Sequence, residues 1–409
     1  MIRKLHKKTG AGILVGGLIW LMQSCNKELP NAVPISQPSP SGSSISEVLA
    51  DPNYSILKAA IDRSAPAAST GLPKLSVSLA DKSAIFTFFA PDNNAFIASG
   101  IPNTTVINAL RTGYLDTILR YHLIGGQTLT SANITQTFPN MYLPSSLILQ
   151  APSAAVPPGI RMSVFPSRRG SSVWVNNVPV VQADIAVANG VMHKVAALVA
   201  PPSAVLYQNI ATDPQLTYFA AAIARADSGQ TGLNKFGGAD GALAYVPANL
   251  TVLAPTNTAF QTTLTGAITL ALMAQGMDQA TAAATAAALA SSPAVFSNPA
   301  LYGVLTAQTV RGLIAYHLFG ARAFSVNLPG SATTVPTLLS LSIPAHPGIK
   351  VQASYTGPVV TAATFTSQIL NPANGSVTDG PVANLVTKDI TAINGVMHKI
   401  DAVLFPLPF

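Results

Sequence analysis

The chain repeats itself once, and any fold proposed for it must be one that can be built twice. ADPNYSILKAAID (residues 50–62) returns as TDPQLTYFAAAIA (212–224), and IFTFFAPDNNAF (85–96) returns as LTVLAPTNTAF (250–260). LRYHLIGG (119–126) returns as IAYHLFGA (314–321), and DIAVANGVMHKVAALVAP (184–201) as DITAINGVMHKIDAVLFP (389–406). The order is kept while the offset grows from 162 to 164, 195 and 205, so the second copy carries about 31 extra residues between its second and third blocks. Residues 262–300 supply them, an Ala-rich stretch whose single charge is Asp278. That stretch reads as an added helix or helical hairpin. A membrane span is the competing reading, opposed by Gln275, Asp278, Gln279 and several threonines. At about 150 residues per domain, 409 residues then divide into a leader and two domains, 44–203 and 204–409.

Each block has a local physical reading. Asp51-Pro52 and Asp213-Pro214 place a capping carboxylate ahead of a proline suited to a first helical position, and apolar residues follow at helical spacing. FTFFAP and LTVLAP are short β-type runs ended by proline. Asp92-Asn93-Asn94 and Thr256-Asn257-Thr258 then offer side-chain oxygens to a turn and helix start, and Phe96 and Phe260 return to the core. Asn189-Gly190 and Asn394-Gly395 lie between apolar strands and predict hairpins with type I′ turns, which need positive φ at both central residues. Val191, His193 and Val195 then share one strand face, as do Val396, His398 and Ile400.

Taken together, these blocks resemble the fasciclin-like (FAS1) domain family. Its T-x-F-A-P-T-N-x-A-F segment is matched from Thr87 to Phe96 and from Thr251 to Phe260, and its Tyr-His motif by Tyr121-His122 and Tyr316-His317. Its closing N-G-x-x-H segment is matched at Asn189 to Val199 and Asn394 to Leu404, with Ala196 where Asp is usual and Asp401 keeping it. The resemblance implies two tandem α+β domains, each a β-sandwich or wedge of about seven strands with several packed helices. It also implies a non-enzymatic role in cell adhesion, in which the Tyr-His pair has been proposed to take part.

Composition narrows the setting. Charged residues are 9% of the chain, against roughly 25% in an average soluble domain, so Ser, Thr, Asn, Gln, Gly and Pro must dress the surface. Four of the charges behind the net +7 sit at Arg3, Lys4, Lys7 and Lys8, leaving about +3 for the rest, too little for a nucleic-acid reader. That basic start precedes the apolar run from Ala11 to Met22, whose twelve residues span about 18 Å as a helix, short of a bilayer's roughly 30 Å. Residues 1–24 therefore read as a secretory signal. Ser24-Cys25 resembles a bacterial lipobox, with the sole cysteine as the lipidated first mature residue; a free thiol beside an ordinary cleavage site is the plainer alternative. Residues 25–43, with prolines at 30, 34, 38 and 40, form a tether. The expected setting is an outer-membrane lipoprotein, facing the cell surface or the periplasm, and Asn26 lacks the Asp that favours inner-membrane retention.

Two constellations are candidates for chemistry. Asp184 with His193, and Asp389 with His398, suit either acid–base or metal work or a histidine that simply holds its hairpin together; a zinc site needs three or four ligands, and no further His, Cys or acid cluster recurs in both copies. Tyr121, His122, Tyr316 and His317 are candidate partner contacts, although their apolar neighbours also fit core packing. Nucleophile elbows and Gly-rich phosphate loops are missing, and no metal or cofactor is required. The expected partners are a membrane, through the lipid anchor, and a matrix protein, polysaccharide or cell-envelope component. The alternative is a glycan- or small-molecule-binding lipoprotein beside an outer-membrane uptake system, which a pocket holding Trp174, Tyr142, Tyr302 or Tyr355 would favour.

Overall fold

Proline-terminated β runs sit at the centre of each copy, flanked on both sides by other strands. In the first copy the strands are β1 (Phe86–Pro91), β2 (Leu123–Gly125), β3 (Leu143–Gln150), β4 (Ile160–Val164), β5 (Pro166–Arg169), β6 (Ser172–Val175), β7 (Val178–Val187) and β8 (Gly190–Val195). Six of them form a sheet in the order β2-β1-β8-β7-β6-β5, while β3 and β4 pair separately. The second copy adds β9 (Leu250–Pro255), β10 (Leu318–Phe319), β11 (Thr333–Val335), β12 (Ile349–Thr356), β13 (Val359–Leu370), β14 (Val377–Ala392) and β15 (Gly395–Ile400), in one sheet ordered β10-β9-β15-β14-β13-β12-β11. This computed structural model describes residues 41–407 apart from 155, 157 and 158. The leader, Cys25 and the tether as far as residue 40 lie outside the described residues.

In both copies the first motif strand runs parallel to the last, Phe86 opposite Gly190 and Leu250 opposite Gly395. These inner strands are buried on both faces, which explains why FTFFAP and LTVLAP are apolar throughout rather than alternating. One face, with Phe88, Ala90 and Met192, packs against Leu57, Ile61 and Leu119 from the helices. The other, with Phe89 and Val195, meets Tyr121, Met162 and Val164. The second copy repeats this arrangement, with Val252 and Met397 on its helical side and Leu253 and Ile400 on the other. The expectation of α+β units of about seven strands with packed helices holds.

The added residues of the second copy lengthen a helix. Asn93–Ala98 has 6 residues, whereas its counterpart Asn257–Ala274 has 18 and packs against a further helix, Gln279–Leu289. Asp278 starts that second helix by accepting the Thr281 amide at 3.0 Å. No helix among the described residues is long and apolar enough to cross a membrane.

The hairpin turns correct one expectation. Val187 pairs with Gly190, and Ala392 with Gly395, so the two-residue loops are Ala188-Asn189 and Ile393-Asn394, one position earlier than a type I′ turn at Asn-Gly requires. Of the four Asn-Gly residues only Gly190 has a positive φ, of 130°. Glycine is needed there for close approach: a Cβ on Gly190 would stand 1.8 Å from the Phe86 carbonyl oxygen.

Candidate functional site

The Asn and His of the closing segments and the Tyr-His pairs converge on the buried middle of each copy, and each is tied to backbone. In the first loop, Asn189 Oδ1 accepts the Ile45 amide at 2.9 Å, and its Nδ2 donates to the carbonyls of Leu79 and Asp81 at 3.0 and 3.1 Å. Asn394 repeats this with the Leu206 amide at 2.9 Å and the carbonyls of Leu243 and Tyr245 at 2.9 and 3.2 Å. The amide thus pins the first helix and the segment entering the first motif strand onto the hairpin.

His193 stands on the strand that follows. Its Nε2 donates to the Leu129 carbonyl at 2.7 Å, and its Nδ1 accepts the backbone amide of Asp184 at 3.2 Å. His398 does the same with Ala323 at 2.8 Å and the Asp389 amide at 3.2 Å. Both rings are therefore neutral tautomers with the proton on Nε2. Burial also pulls the pKa of His193 down. Asp184 and Asp389 sit at bulges with φ of 61° and 59°, and their carboxylates turn to serines instead. Asp184 takes the Ser131 amide at 2.8 Å and hydroxyl at 2.5 Å; Asp389 takes the Ser325 amide at 2.7 Å and its hydroxyl. Partial burial works against ionisation of Asp184, but the Ser131 hydroxyl and amide prevail and hold its pKa below the usual carboxylate value. The Asp and His are neighbours, yet Asp184 Oδ1 is 4.0 Å from an Nδ1 already occupied by a backbone donor. No acid–base pair results, and no group of three His, Cys, Asp or Glu side chains among the described residues is placed to hold a metal.

The Tyr-His pairs correct the second expectation. Tyr121, His122, Tyr316 and His317 are all at most 1% exposed, so a partner can touch none of them. His122 follows the helix Thr112–Tyr121, donates from Nδ1 to the Ile118 carbonyl at 2.9 Å and accepts the Val199 amide on Nε2 at 2.8 Å. His317 makes the same bridge between the Leu313 carbonyl, at 2.8 Å, and the Leu404 amide, at 3.1 Å. Each imidazole thus joins a helix end to the segment after the last strand, and burial lowers both pKa values to about 4. Tyr121 donates to the Ser163 carbonyl at 3.1 Å and accepts from Asn176 at 3.0 Å. Tyr316 donates to the Gly348 carbonyl and accepts the Gln368 amide, both at 2.8 Å. Burial raises both phenol pKa values.

A feature that the repeat does not announce lies in the second copy. A cavity of about 900 Å³ is lined from the lengthened helix Asn257–Ala274, the helix Ala307–Tyr316 and the chain end near Val403. None of Trp174, Tyr142, Tyr302 and Tyr355 lines it. The sequence held one clue: at the offset of the Tyr-His block, Arg311 stands where the first copy has Asp116.

Buried Asn, His and Tyr-His staples recur in the same places in both halves, the pattern of one α+β domain built twice in tandem. A model of the fasciclin domain matches residues 68–201 and 214–406, and the chain belongs to that family. Fasciclin domains are typically adhesion-related and generally non-catalytic. Among solved structures, a FAS1 domain pair from the insect cell adhesion molecule Fasciclin I is similar at 15% identity, covering 86% of this chain and 95% of that one with a TM-score of 0.32. No curated protein sequence matches the chain.

Proposed function

We propose that this is an exported, lipid-anchored and non-enzymatic protein whose two FAS1 domains bind a matrix or cell-envelope partner through their outer surface. The observation that carries this reading is the use of the motif side chains inside the fold: the Asn and His of both closing segments and both Tyr-His pairs are spent on backbone hydrogen bonds. What remains outside is a charge-poor surface with apolar residues such as Tyr142, Val181, Val382 and Val386 exposed upon it. Contacts made by such a surface are apolar and hydrogen-bonded, so they depend only weakly on salt.

Protease shaving of intact cells tests the reading, comparing wild type with Cys25→Ala. The expected result is loss of the wild-type protein from intact cells and release of the variant into the medium. Protection of the wild type until the outer membrane is opened would remove adhesion and leave binding within the envelope.

A further inference from the structure

The cavity of the second copy has walls from Phe260, Leu264, Phe296, Leu338 and Val403, and a single charged residue, Arg311. The guanidinium lies over the Phe236 ring, its carbon 4.7 Å from the ring centroid. A ring face attracts the cation but accepts none of its in-plane N–H groups. Arg311 Nη1 is buried and has no hydrogen-bond partner. A buried donor without an acceptor is costly, and a charged one more so.

The first copy shows how this fold ordinarily treats a buried cation on the same helix. There Arg120 is held by Asp116 at 2.7 Å and by the Pro73 carbonyl at 2.6 Å. In the second copy Ala315 replaces that arginine and Arg311 replaces that aspartate, so the acid is gone and the cation has moved into the cavity wall. The lining contains no carboxylate. Part of the wall, including Ala267, belongs to the helix that only the second copy lengthens. At the rim Leu233 and Leu341 are exposed, which gives the opening an apolar lip. The volume is within the roughly 300–1,000 Å³ of sites that enclose small molecules.

We propose that this cavity binds a single-chain amphiphile with an anionic head, a long-chain fatty acid, whose carboxylate accepts from Arg311 while its chain lies along the apolar wall. The charge meets the unmatched Arg311 donor, and the chain covers the apolar wall beside it. The inference is independent of the adhesion reading and survives or fails without it.

Calorimetric titration of the delipidated full chain with oleate, and separately with oleyl alcohol, tests it. Wild type should bind one oleate and prefer it to the alcohol. Arg311→Leu should weaken oleate binding at least tenfold and leave the alcohol unchanged, whereas Arg311→Lys should retain part of the preference. Ala267→Phe, which fills the recess, should weaken both ligands. Each variant is compared at an unchanged unfolding midpoint; where one fails this check, Arg311→Gln replaces Arg311→Leu and Ala267→Leu replaces Ala267→Phe. Equal oleate affinity in wild type and Arg311→Leu would overturn the proposal, as would no saturable binding by wild type. Binding confined to phosphatidylglycerol vesicles would also overturn it, since the ligand would then be a membrane surface.

Discussion

His122 and His317 show how a residue can be a family hallmark without being a contact. Each uses one ring nitrogen as donor and the other as acceptor, a combination available only to a neutral imidazole. Protonation would place a second N–H against the Val199 or Leu404 amide in a dry core. Burial, opposed only in part by the helix carbonyl, therefore lowers both pKa values from 6.5 to about 4. The unfolded chain takes up these protons near pH 6.5 and the folded chain only near 4, so their contribution is complete above 6.5 and is lost as pH falls towards 4. The two shifts correspond to at most roughly 3 kcal/mol each. His193 and His346, also lowered by burial, act in the same direction. Thermal unfolding midpoints should accordingly be level between pH 8 and about 6.5 and fall steeply below, and His317→Gln should flatten that fall while lowering the midpoint at pH 8. An unchanged pH profile in the variant would mean that another group controls acid stability.

At the scale of the element, the hairpins separate what the sequence makes legible from what it does not. Asn-Gly between two apolar runs correctly marks a hairpin, and the shared face of Val191, His193 and Val195 follows from strand periodicity. The turn type does not follow, because the Asn is spent on long-range hydrogen bonds and the Gly on passing a neighbouring backbone. Pairwise hairpin statistics contain neither the helix that Asn189 holds nor the strand that Gly190 touches. The histidines were legible as structural from their lack of partner ligands, but the carbonyls they meet are backbone atoms with no sequence signature. Arg311 was legible only in part: the repeat offset sets it against Asp116, but the cavity that it lines has no sequence signature. Asn394→Ala should cost about 2–4 kcal/mol, since three hydrogen bonds worth about 1 kcal/mol each are lost, two of them buried, and backbone groups are orphaned. Gly190→Ala should cost more than about 3 kcal/mol, because its Cβ meets a main-chain oxygen that cannot rotate away. Urea unfolding measures both, and a loss below about 1 kcal/mol for either would deny the residue its role as a staple.

Over the whole molecule, the two copies lie in one compact unit, and their junction is built from specific contacts. Phe165 of the first copy packs on Phe324 of the second, with ring centroids 5.8 Å apart, and Val396 completes the cluster. Arg322 lies over the Phe165 ring at 4.3 Å and donates to the Asn249 side chain and to the carbonyls of Ala392 and Ile393. Burial lowers its pKa to about 10, still far above neutrality, so it stays charged within the junction. Asn140 reaches across twice, its backbone amide donating to the Arg322 carbonyl at 3.1 Å and its side-chain oxygen accepting the Phe324 amide at 3.0 Å. Asn327 returns the gesture to the Thr137 carbonyl at 2.7 Å, and Arg169 stacks on Tyr355 and donates to the Leu328 carbonyl at 2.6 Å. A junction that shares aromatic packing and backbone hydrogen bonds should couple the unfolding of its halves, unlike domains joined by a loose linker. Scanning calorimetry of wild type should show one transition. Phe324→Ala removes the aromatic contact with Phe165, and it should resolve that transition into two, with the second copy melting first. Two transitions already present in wild type would show the halves to be independent. Each FAS1 domain would then meet a partner separately, and the surface the pair presents would no longer be a single one.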